Sequence, residues 1–232
     1  MLEFNNVYHG DCLELIQQVP DKSIDVCITD LPYGIDYQSS WNGKQKHFEK
    51  IANDKRPFVD FIKYLPRVMK DTGAVYLFTR WDVQQPVIDE LQANGMRVKN
   101  VLIWDKGNHS MGDLESAYGS RYESIVFAPM KDFRFQGKRP VDIISVPRVS
   151  ADKMVHPNEK PVNLLRRLIL DATKMGGGGK FTVMDCTCGS GTTLIAAIQQ
   201  KCSFIGFELD EHYYELTKKR IRIEQSQLTL DF

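Results

Sequence analysis

The chain has 232 residues, and its 30 Lys and Arg residues balance its 30 Asp and Glu residues, so the formal net charge is zero at pH 7. Hydrophobic residues make up 42% and charged residues 26% of the chain, a globular composition that excludes a disordered chain and a fibrous repeat. A wholesale polycation is also excluded, so any contact with nucleic acid requires a local basic patch.

The N-terminal segment and the cysteines indicate the compartment. The stretch from Met1 to Ile16 lacks a basic start followed by an apolar run, so we expect no secretory signal and a cytoplasmic location. The five cysteines are scattered, which is typical of reduced thiols in a cytosol. A single residue separates Cys186 from Cys188, which is too few for a zinc knuckle, so we predict no metal site.

Short apolar runs rich in β-branched residues alternate with amphipathic stretches along the chain. This alternation predicts an α/β fold in which helices cover both faces of a parallel sheet. The predicted strands, in chain order, are Ile24–Thr29, Ala74–Thr79, Val98–Trp104, Ser124–Ala128, Phe181–Asp185 and Phe204–Glu208. Helical spacing predicts two helices, one with Leu165, Leu168, Ile169 and Ala172 and one with Tyr213, Leu216, Arg220 and Ile221 after an N-cap at Asp210. A third predicted helix, Leu194–Gln200, follows a glycine-rich turn.

Three polar stretches interrupt the alternation, at Gly34–Pro57, Asp105–Tyr122 and Lys131–Val155. Loops of this length are typically lids, binding loops or disordered segments. Basic residues interleaved with aromatic ones suit contact with phosphates and stacking on bases, although solvated charge is the commoner explanation for any one of them.

The first predicted strand ends in Thr29-Asp30-Leu31-Pro32-Tyr33. A carboxylate at the carboxyl end of a parallel strand, followed by an aromatic ring, places a hydrogen-bond acceptor beside a stacking surface. A simple strand-ending turn is the alternative. A second motif, His156-Pro157-Asn158-Glu159-Lys160-Pro161, opens a predicted helix, where His156 and Lys160 either hold a carboxylate or are ordinary surface residues.

The strongest motif is an apolar strand that leads into a glycine-rich turn and a helix, over residues 183–193. Gly189 and Gly191 permit close approach to a ligand, and Glu208 ends the next strand about 20 residues later, where Rossmann-like folds place an acid for ribose hydroxyls. No Lys follows the second glycine, so the turn is not a Walker A loop. The turn and the acid together indicate an adenosine-type ligand.

Four segments match motifs of one family. Asp30–Tyr33 is similar to a DPPY catalytic motif, residues 185–193 to a DPFxGSGTT cofactor motif and His156–Pro161 to an HPTQKP motif, while Phe204–Arg220 resembles the strand, acid and helix after the cofactor motif. Together they resemble the DNA amino-methyltransferases of the N-4/N-6 methylase family that use S-adenosylmethionine. The catalytic motif comes first, which is the order of the circularly permuted β class.

The resemblance covers about residues 6–222 and implies a Rossmann-like fold with a mostly parallel, seven-stranded sheet, helices on both faces and a circularly permuted order. It implies a single methyltransferase domain over residues 1–232, with a catalytic-side loop at 34–57 and a small target-recognition region at about 105–155. The implied reaction moves a methyl group from S-adenosylmethionine to the exocyclic 6-amino group of adenine in a base flipped out of double-stranded DNA. A bacterial or phage origin, a restriction-modification setting and a homodimer are expected by resemblance alone.

The resemblance also assigns site residues. It implies that the catalytic residues are Asp30, Leu31, Pro32 and Tyr33. It also implies that the cofactor is bound by Asp11, Asp30, His156, Lys160, Asp185, Cys188, Gly189, Ser190, Gly191, Thr192 and Glu208. Residues 189–192 are expected to hold the methionine part of the cofactor, Glu208 its ribose, Asp11 its adenine, and His156 with Lys160 its amino-acid end.

The chain departs from the family motifs at five positions. Leu31 replaces Pro in the catalytic motif, Cys186 and Thr187 replace Pro and Phe in the cofactor motif, and Asn158 and Glu159 replace Thr and Gln in the third motif. Cytosine-N4 methylation and a catalytically weak DNA-binding relative stay open as alternatives. A nicotinamide-dependent dehydrogenase shares the turn and the acid, but it leaves the Asp30–Tyr33 motif unexplained. Asp in the first catalytic position argues against RNA or protein-glutamine methylation.

Overall fold

The computed structural model describes residues 1–32, 58–109, 115–150, 154, 159–173 and 181–230. They form an α/β fold around one eight-stranded sheet with the strand order β1-β8-β7-β2-β3-β5-β4-β6. The strands are β1 (Asn6–His9), β2 (Ile24–Asp30), β3 (Met69–Thr79), β4 (Asn100–Asp105), β5 (Tyr122–Pro129), β6 (Ile143–Ser145), β7 (Thr182–Asp185) and β8 (Ser203–Glu208).

The helices that flank the sheet are α1 (Cys12–Leu15), α2 (Leu65–Val68), α3 (Gln84–Ala93), α4 (Val162–Thr173), α5 (Thr192–Gln199) and α6 (Glu211–Leu230). The three predicted helices are therefore confirmed as α4, α5 and α6. The predicted N-cap is also confirmed, because Asp210 Oδ1 accepts a hydrogen bond from the Tyr213 amide at 3.0 Å. Within the described residues, no helix has both the length and the apolar character needed to cross a membrane.

The sheet is mostly parallel, as predicted. Only β5 runs against its neighbours, and it pairs in antiparallel fashion with β3 and with β4. All six predicted strands are present with boundaries that shift by a few residues. The largest shift is at β3, which begins at Met69 rather than at Ala74 because its first residues pair with Ile24 before an irregularity in the register.

The predicted number of seven strands is wrong, because β6 adds an eighth. This strand is three residues long and pairs with β4 at the sheet edge, and only Ile144 of the three is buried. Such a short strand with one buried side chain has no detectable hydrophobic alternation, so it lay within the stretch Lys131–Val155 that was predicted to be a loop. The strand predictions also missed β1, which is four residues long and places only Val7 in the core.

Apolar residues cover both faces of the sheet. Helices α4, α5 and α6 pack on one face through Leu168, Leu194 and Ile221. Helices α1, α2 and α3 pack on the other face, and Leu65 and Leu91 lie in that second core. The central strand β2 is therefore buried on both sides up to its last residue, which explains the apolar run Val26, Cys27 and Ile28 at its centre.

The strand order decides where ligands can bind. Strands β2, β7 and β8 are parallel neighbours, so their carboxyl ends meet at one edge of the sheet. Helices α4 and α5 begin at the same edge. In open α/β sheets this edge is where ligands bind, and it carries the acids that the sequence singled out.

Candidate active site

Three carboxylates stand at the ends of neighbouring strands. Asp30 ends β2, Asp185 ends β7 and Glu208 ends β8. Their strands pair in register, because Cys27 lies opposite Met184 and Asp185 lies opposite Gly206. The fold thus gathers acids that are up to 178 residues apart in sequence into one row.

Asp30 is held at both its side chain and its backbone. Its Oδ2 accepts a hydrogen bond from the Lys160 ammonium at 2.5 Å. Its carbonyl oxygen accepts one from the Thr187 hydroxyl at 2.8 Å, so the turn after β7 fixes the end of β2. Leu31 is buried, and the carbonyl oxygen of Pro32 accepts a hydrogen bond from the Phe58 amide at 3.1 Å.

Lys160 lies just before α4 and is only 8% exposed. Its ammonium also pairs with Glu123 Oε2 at 3.3 Å and lies 5.3 Å from the centre of the Phe78 ring. Burial alone would lower the pKa of Lys160, but the carboxylates of Asp30 and Glu123 outweigh burial and raise it above its usual value. Lys160 therefore remains a cation between two anions.

Glu123 extends this arrangement toward β4. Its Oε1 pairs with the Lys106 ammonium at 3.3 Å, while its Oε2 faces Lys160. Burial alone would raise the pKa of Glu123, but Lys160 and Lys106 together lower it below the usual value. Lys106 and Glu123 are site residues that the sequence did not reveal, because nothing in their spacing along the chain indicates contact with Lys160.

The turn after β7 has the backbone that its glycines predict. Gly189 and Gly191 adopt φ values of +52° and +80°, in the left-handed region that favours glycine. A Cβ added to Gly191 would lie 2.5 Å from Thr217 Cγ2, so α6 leaves no room for a side chain there. The Thr217 hydroxyl in turn donates to the Gly189 carbonyl at 2.8 Å. The turn is thus fixed against α6.

Glu208 contacts this turn directly. Its Oε2 accepts a hydrogen bond from the Gly189 amide at 2.7 Å and its Oε1 accepts one from the Asp210 amide at 2.9 Å. Burial raises the pKa of Glu208, and hydrogen bonds from the amides of Asp210, Gly189 and Leu209 oppose this rise. A carboxylate has about four lone-pair sites, so Glu208 retains capacity to accept from a ligand.

Asp185 is the most deeply buried acid of the row, at 3% exposure. Burial raises its pKa to about 7, opposed by hydrogen bonds from the Thr193 side chain and the Thr187 amide, and the neighbouring carboxylates Asp30 and Glu208 add to the rise. Its position beneath the turn indicates that it shapes the turn.

Cys186 and Cys188 are buried on either side of Thr187, and burial raises the pKa of both thiols well above its usual value. They are therefore uncharged packing residues at neutral pH. The Cys188 sulfur would lie 3.3 Å from a Cβ added at Gly206. Among the described residues, no three His, Cys, Asp or Glu side chains form a group suited to a metal ion.

Arg220 connects the glycine turn to the residues just before α4, a contact that the sequence did not predict. Arg220 donates from Nη1 to the Ser190 carbonyl at 2.8 Å, and its Nη2 pairs with Glu159 Oε1 at 2.8 Å. The Thr192 hydroxyl also donates to Glu159 Oε1, at 3.4 Å. Glu159 stands where the family motif has Gln. Arg220 was singled out in the sequence only as a residue at helical spacing, which predicts packing and not a contact with the turn.

Asp11 lies beside the same edge, after β1. It is exposed and caps α1, because its Oδ1 accepts a hydrogen bond from the Leu13 amide at 2.8 Å. The preceding Gly10 amide donates to the Glu208 carbonyl at 2.9 Å, which brings Asp11 to the end of β8. Tyr33, His156 and the loop at 34–57 lie outside the described residues.

Comparison with known proteins agrees with this geometry. The model of the DNA methylase family, the N6/N4 methyltransferases, matches residues 24–143 and 136–219, which is most of the chain. The Type II methyltransferase M2.MboI of Moraxella bovis is 25% identical over 93% of this chain and 86% of its own length. The DNA adenine methyltransferase YhdJ of Escherichia coli K12 is 25% identical over 95% of this chain and 84% of its own length.

Solved structures share the fold. The crystal structure of the M1.HpyAVI-SAM complex has a TM-score of 0.67 at 24% identity, over 93% of this chain and 98% of that chain. The PvuII DNA methyltransferase, which is cytosine-N4-specific, has a TM-score of 0.72 at 15% identity, over 98% of this chain and 93% of that chain.

Proposed function

The chain belongs to the DNA methylase family of N6/N4 methyltransferases, and from that membership we propose that it methylates the 6-amino group of adenine in DNA with S-adenosylmethionine as methyl donor. The observation that carries the proposal is the row of Asp30, Asp185 and Glu208 at the carboxyl edge of β2, β7 and β8, next to a glycine turn. The residue proposed to position the target amine is therefore a neighbour of the residues proposed to bind the nucleoside of the cofactor.

The residues present fit S-adenosylmethionine. Glu208 offers carboxylate acceptors for the two ribose hydroxyls, and the exposed Asp11 offers an acceptor for the adenine amine. The turn at Gly189–Gly191 approaches with backbone alone and leads into α5, whose first amides face the same edge. The sulfonium of S-adenosylmethionine supplies a methyl group that is open to attack by a nucleophile.

Asp30 and Leu31 perform the chemistry on the protein side. The exocyclic amine is a poor nucleophile because its lone pair is delocalised into the ring. The Asp30 carboxylate and the Leu31 carbonyl each accept a hydrogen bond from one N–H of the amine. These two contacts direct the nitrogen lone pair at the methyl group, which is catalysis by positioning and electrostatics.

The target base must leave the duplex, because stacking and pairing hide its amine. Tyr33 follows Pro32 directly in the chain, and we assign it to stacking on the flipped base. The loop at 34–57 is assigned to the catalytic side of a single methyltransferase domain, and the region at about 105–155 to recognition of the DNA sequence.

Adenine is preferred over cytosine because Asp30 stands in the first catalytic position, and because the relative YhdJ, at 25% identity, is named an adenine methyltransferase. Methylation of cytosine at N4 is the second candidate. Analysis of the modified nucleosides separates the two, since methyladenine supports the proposal and methylcytosine with unmodified adenine overturns it. Protection from heat by S-adenosylmethionine and not by NAD separates both from a dehydrogenase.

A further inference from the structure

Four charged side chains of alternating sign form a network of ion pairs that starts at the proposed catalytic carboxylate. Asp30 contacts Lys160 at 2.5 Å, Lys160 contacts Glu123 at 3.3 Å, and Glu123 contacts Lys106 at 3.3 Å. The network begins at the end of β2 and reaches the end of β4 by way of β5. It therefore fixes the catalytic edge to the antiparallel part of the sheet.

This arrangement is poorly explained by stability alone. Lys160 is 8% exposed, and a buried ion pair loses most of its Coulomb energy to desolvation. Glu123 Oε2 is buried, and the Lys160 ammonium at 3.3 Å is the charge that balances it. An apolar pair of similar volume would stabilise the fold at least as well.

We propose that Lys160 is the positioning residue of methyl transfer: its ammonium fixes the Asp30 carboxylate for the target amine, and Glu123 with Lys106 holds that ammonium in place. The inference rests on the function proposed above. It moves Lys160 from the amino-acid end of the cofactor, where the sequence predicted it, to the substrate side of the site.

The chemistry of the carboxylate supports this role. An Asp side chain turns about two torsions, so an Asp30 without a fixed partner would place its oxygens in several orientations. A carboxylate has about four lone-pair sites, so an ammonium at Oδ2 leaves capacity for the amine. A misplacement of about 1 Å in such a contact costs on the order of 100-fold in rate.

The test compares Lys160→Met, Glu123→Gln and the double variant with the unaltered enzyme. Lys22→Met is the matched control, because Lys22 pairs with Asp71 on the surface before β2. The readouts are the single-turnover rate of methyl transfer at saturating DNA and S-adenosylmethionine, and the affinities for both by calorimetry. Affinity for S-adenosylmethionine also reports whether each variant folds.

We expect Lys160→Met to lower the single-turnover rate about 100-fold while both affinities stay within about 2-fold. Glu123→Gln lowers the rate less, and the double variant is no slower than Lys160→Met, because Glu123 acts only through Lys160. If Lys160→Met does not fold, the near-isosteric Glu123→Gln decides alone by its rate at unchanged affinity.

Five outcomes would contradict the inference. Weaker binding of S-adenosylmethionine by Lys160→Met, with an unchanged chemical step, returns Lys160 to the cofactor. Additive losses in the double variant, or a full rate for Glu123→Gln, remove Glu123 from the mechanism. Absence of transfer by the unaltered enzyme with DNA overturns the proposed function and this inference with it, whereas normal transfer by every variant overturns the inference alone.

Discussion

The Gly189 amide donates a hydrogen bond to Glu208 Oε2 at 2.7 Å, so the glycine turn after β7 and the acid at the end of β8 are one unit. The link spans the two features that the sequence assigned to an adenosine-type ligand. The other oxygen of Glu208 is held by the Asp210 amide at 2.9 Å. The proposed ribose acceptor is therefore fixed before any ligand binds.

Glu208→Ala is expected to weaken binding of S-adenosylmethionine by about 1–3 kcal/mol, the cost of a lost charge-assisted hydrogen bond. Isothermal calorimetry measures the affinity directly. Glu215→Ala is the matched control, because Glu215 is an exposed acid of α6 that pairs with Lys218. Equal affinities for Glu208→Ala and the unaltered protein would remove Glu208 from the ribose site.

Gly191→Ala is expected to lower the free energy of unfolding by more than the roughly 1–2 kcal/mol that a left-handed backbone costs an Ala. The excess comes from Thr217 Cγ2, which a new Cβ would approach to 2.5 Å. Gly95→Ala is the control, because Gly95 has a φ of +74° with no atom within 4 Å of an added Cβ. Denaturant unfolding measures both.

The same pair allows a rescue. Thr217→Ser deletes Cγ2 but keeps the hydroxyl that donates to the Gly189 carbonyl. Adding it to Gly191→Ala should recover the part of the steric loss that is due to Cγ2, while the hydroxyl oxygen that Ser keeps would still lie 2.9 Å from the new Cβ and the backbone part would remain. A loss for Gly191→Ala no larger than that for Gly95→Ala would show that Thr217 does not restrict the turn.

Asp185 should make stability depend on pH. Its pKa is about 7 in the fold against a usual value of 3.8, mainly because it is buried. A raised pKa means that the contribution of this group to stability is complete below about pH 4 and is lost as the pH rises through about 7. We expect the difference in unfolding free energy between the unaltered protein and Asp185→Asn to fall across this interval, by about 1.4 kcal/mol per pH unit. A difference that stays flat with pH would show that Asp185 is ionised in the fold.

Arg220→Met should destabilise the protein by about 1.5–3 kcal/mol, because it removes charge-assisted contacts with the Ser190 carbonyl and with Glu159. Adding Glu159→Gln should recover part of this loss, since a neutral amide is cheaper to bury than a carboxylate. Thermal unfolding of the single and double variants measures the coupling. Strictly additive losses would show that the two residues do not act on each other.

The sequence indicated those parts of the fold that depend on local pattern. Strands β2, β7 and β8 are buried on both faces, so each has a short apolar run at its centre, and each ends in the acid that was singled out. The helices were found because their buried residues repeat at helical spacing. Short edge strands such as β1 and β6 bury too few side chains to leave such a pattern.

The contacts at the site depend on distance in space and were beyond the sequence. By analogy with its motif, Lys160 was predicted to hold the amino-acid end of the cofactor. Its contacts with Glu123 and Asp30 were not predicted, because these residues lie 37 and 130 residues earlier in the chain. Arg220 and Glu159 meet only because α6 and the start of α4 converge on the glycine turn. Such pairs become visible only when the sheet order is known.

The central claim is tested most directly by methyl transfer from labelled S-adenosylmethionine to unmethylated genomic DNA, with Asp30→Ala alongside and the nucleosides resolved by mass. We expect methyladenine from the unaltered protein and a rate lower by about 100-fold or more for Asp30→Ala, whose affinity for S-adenosylmethionine stays close to that of the unaltered protein. Methylcytosine with unmodified adenine, or equal transfer by both proteins, would contradict the account.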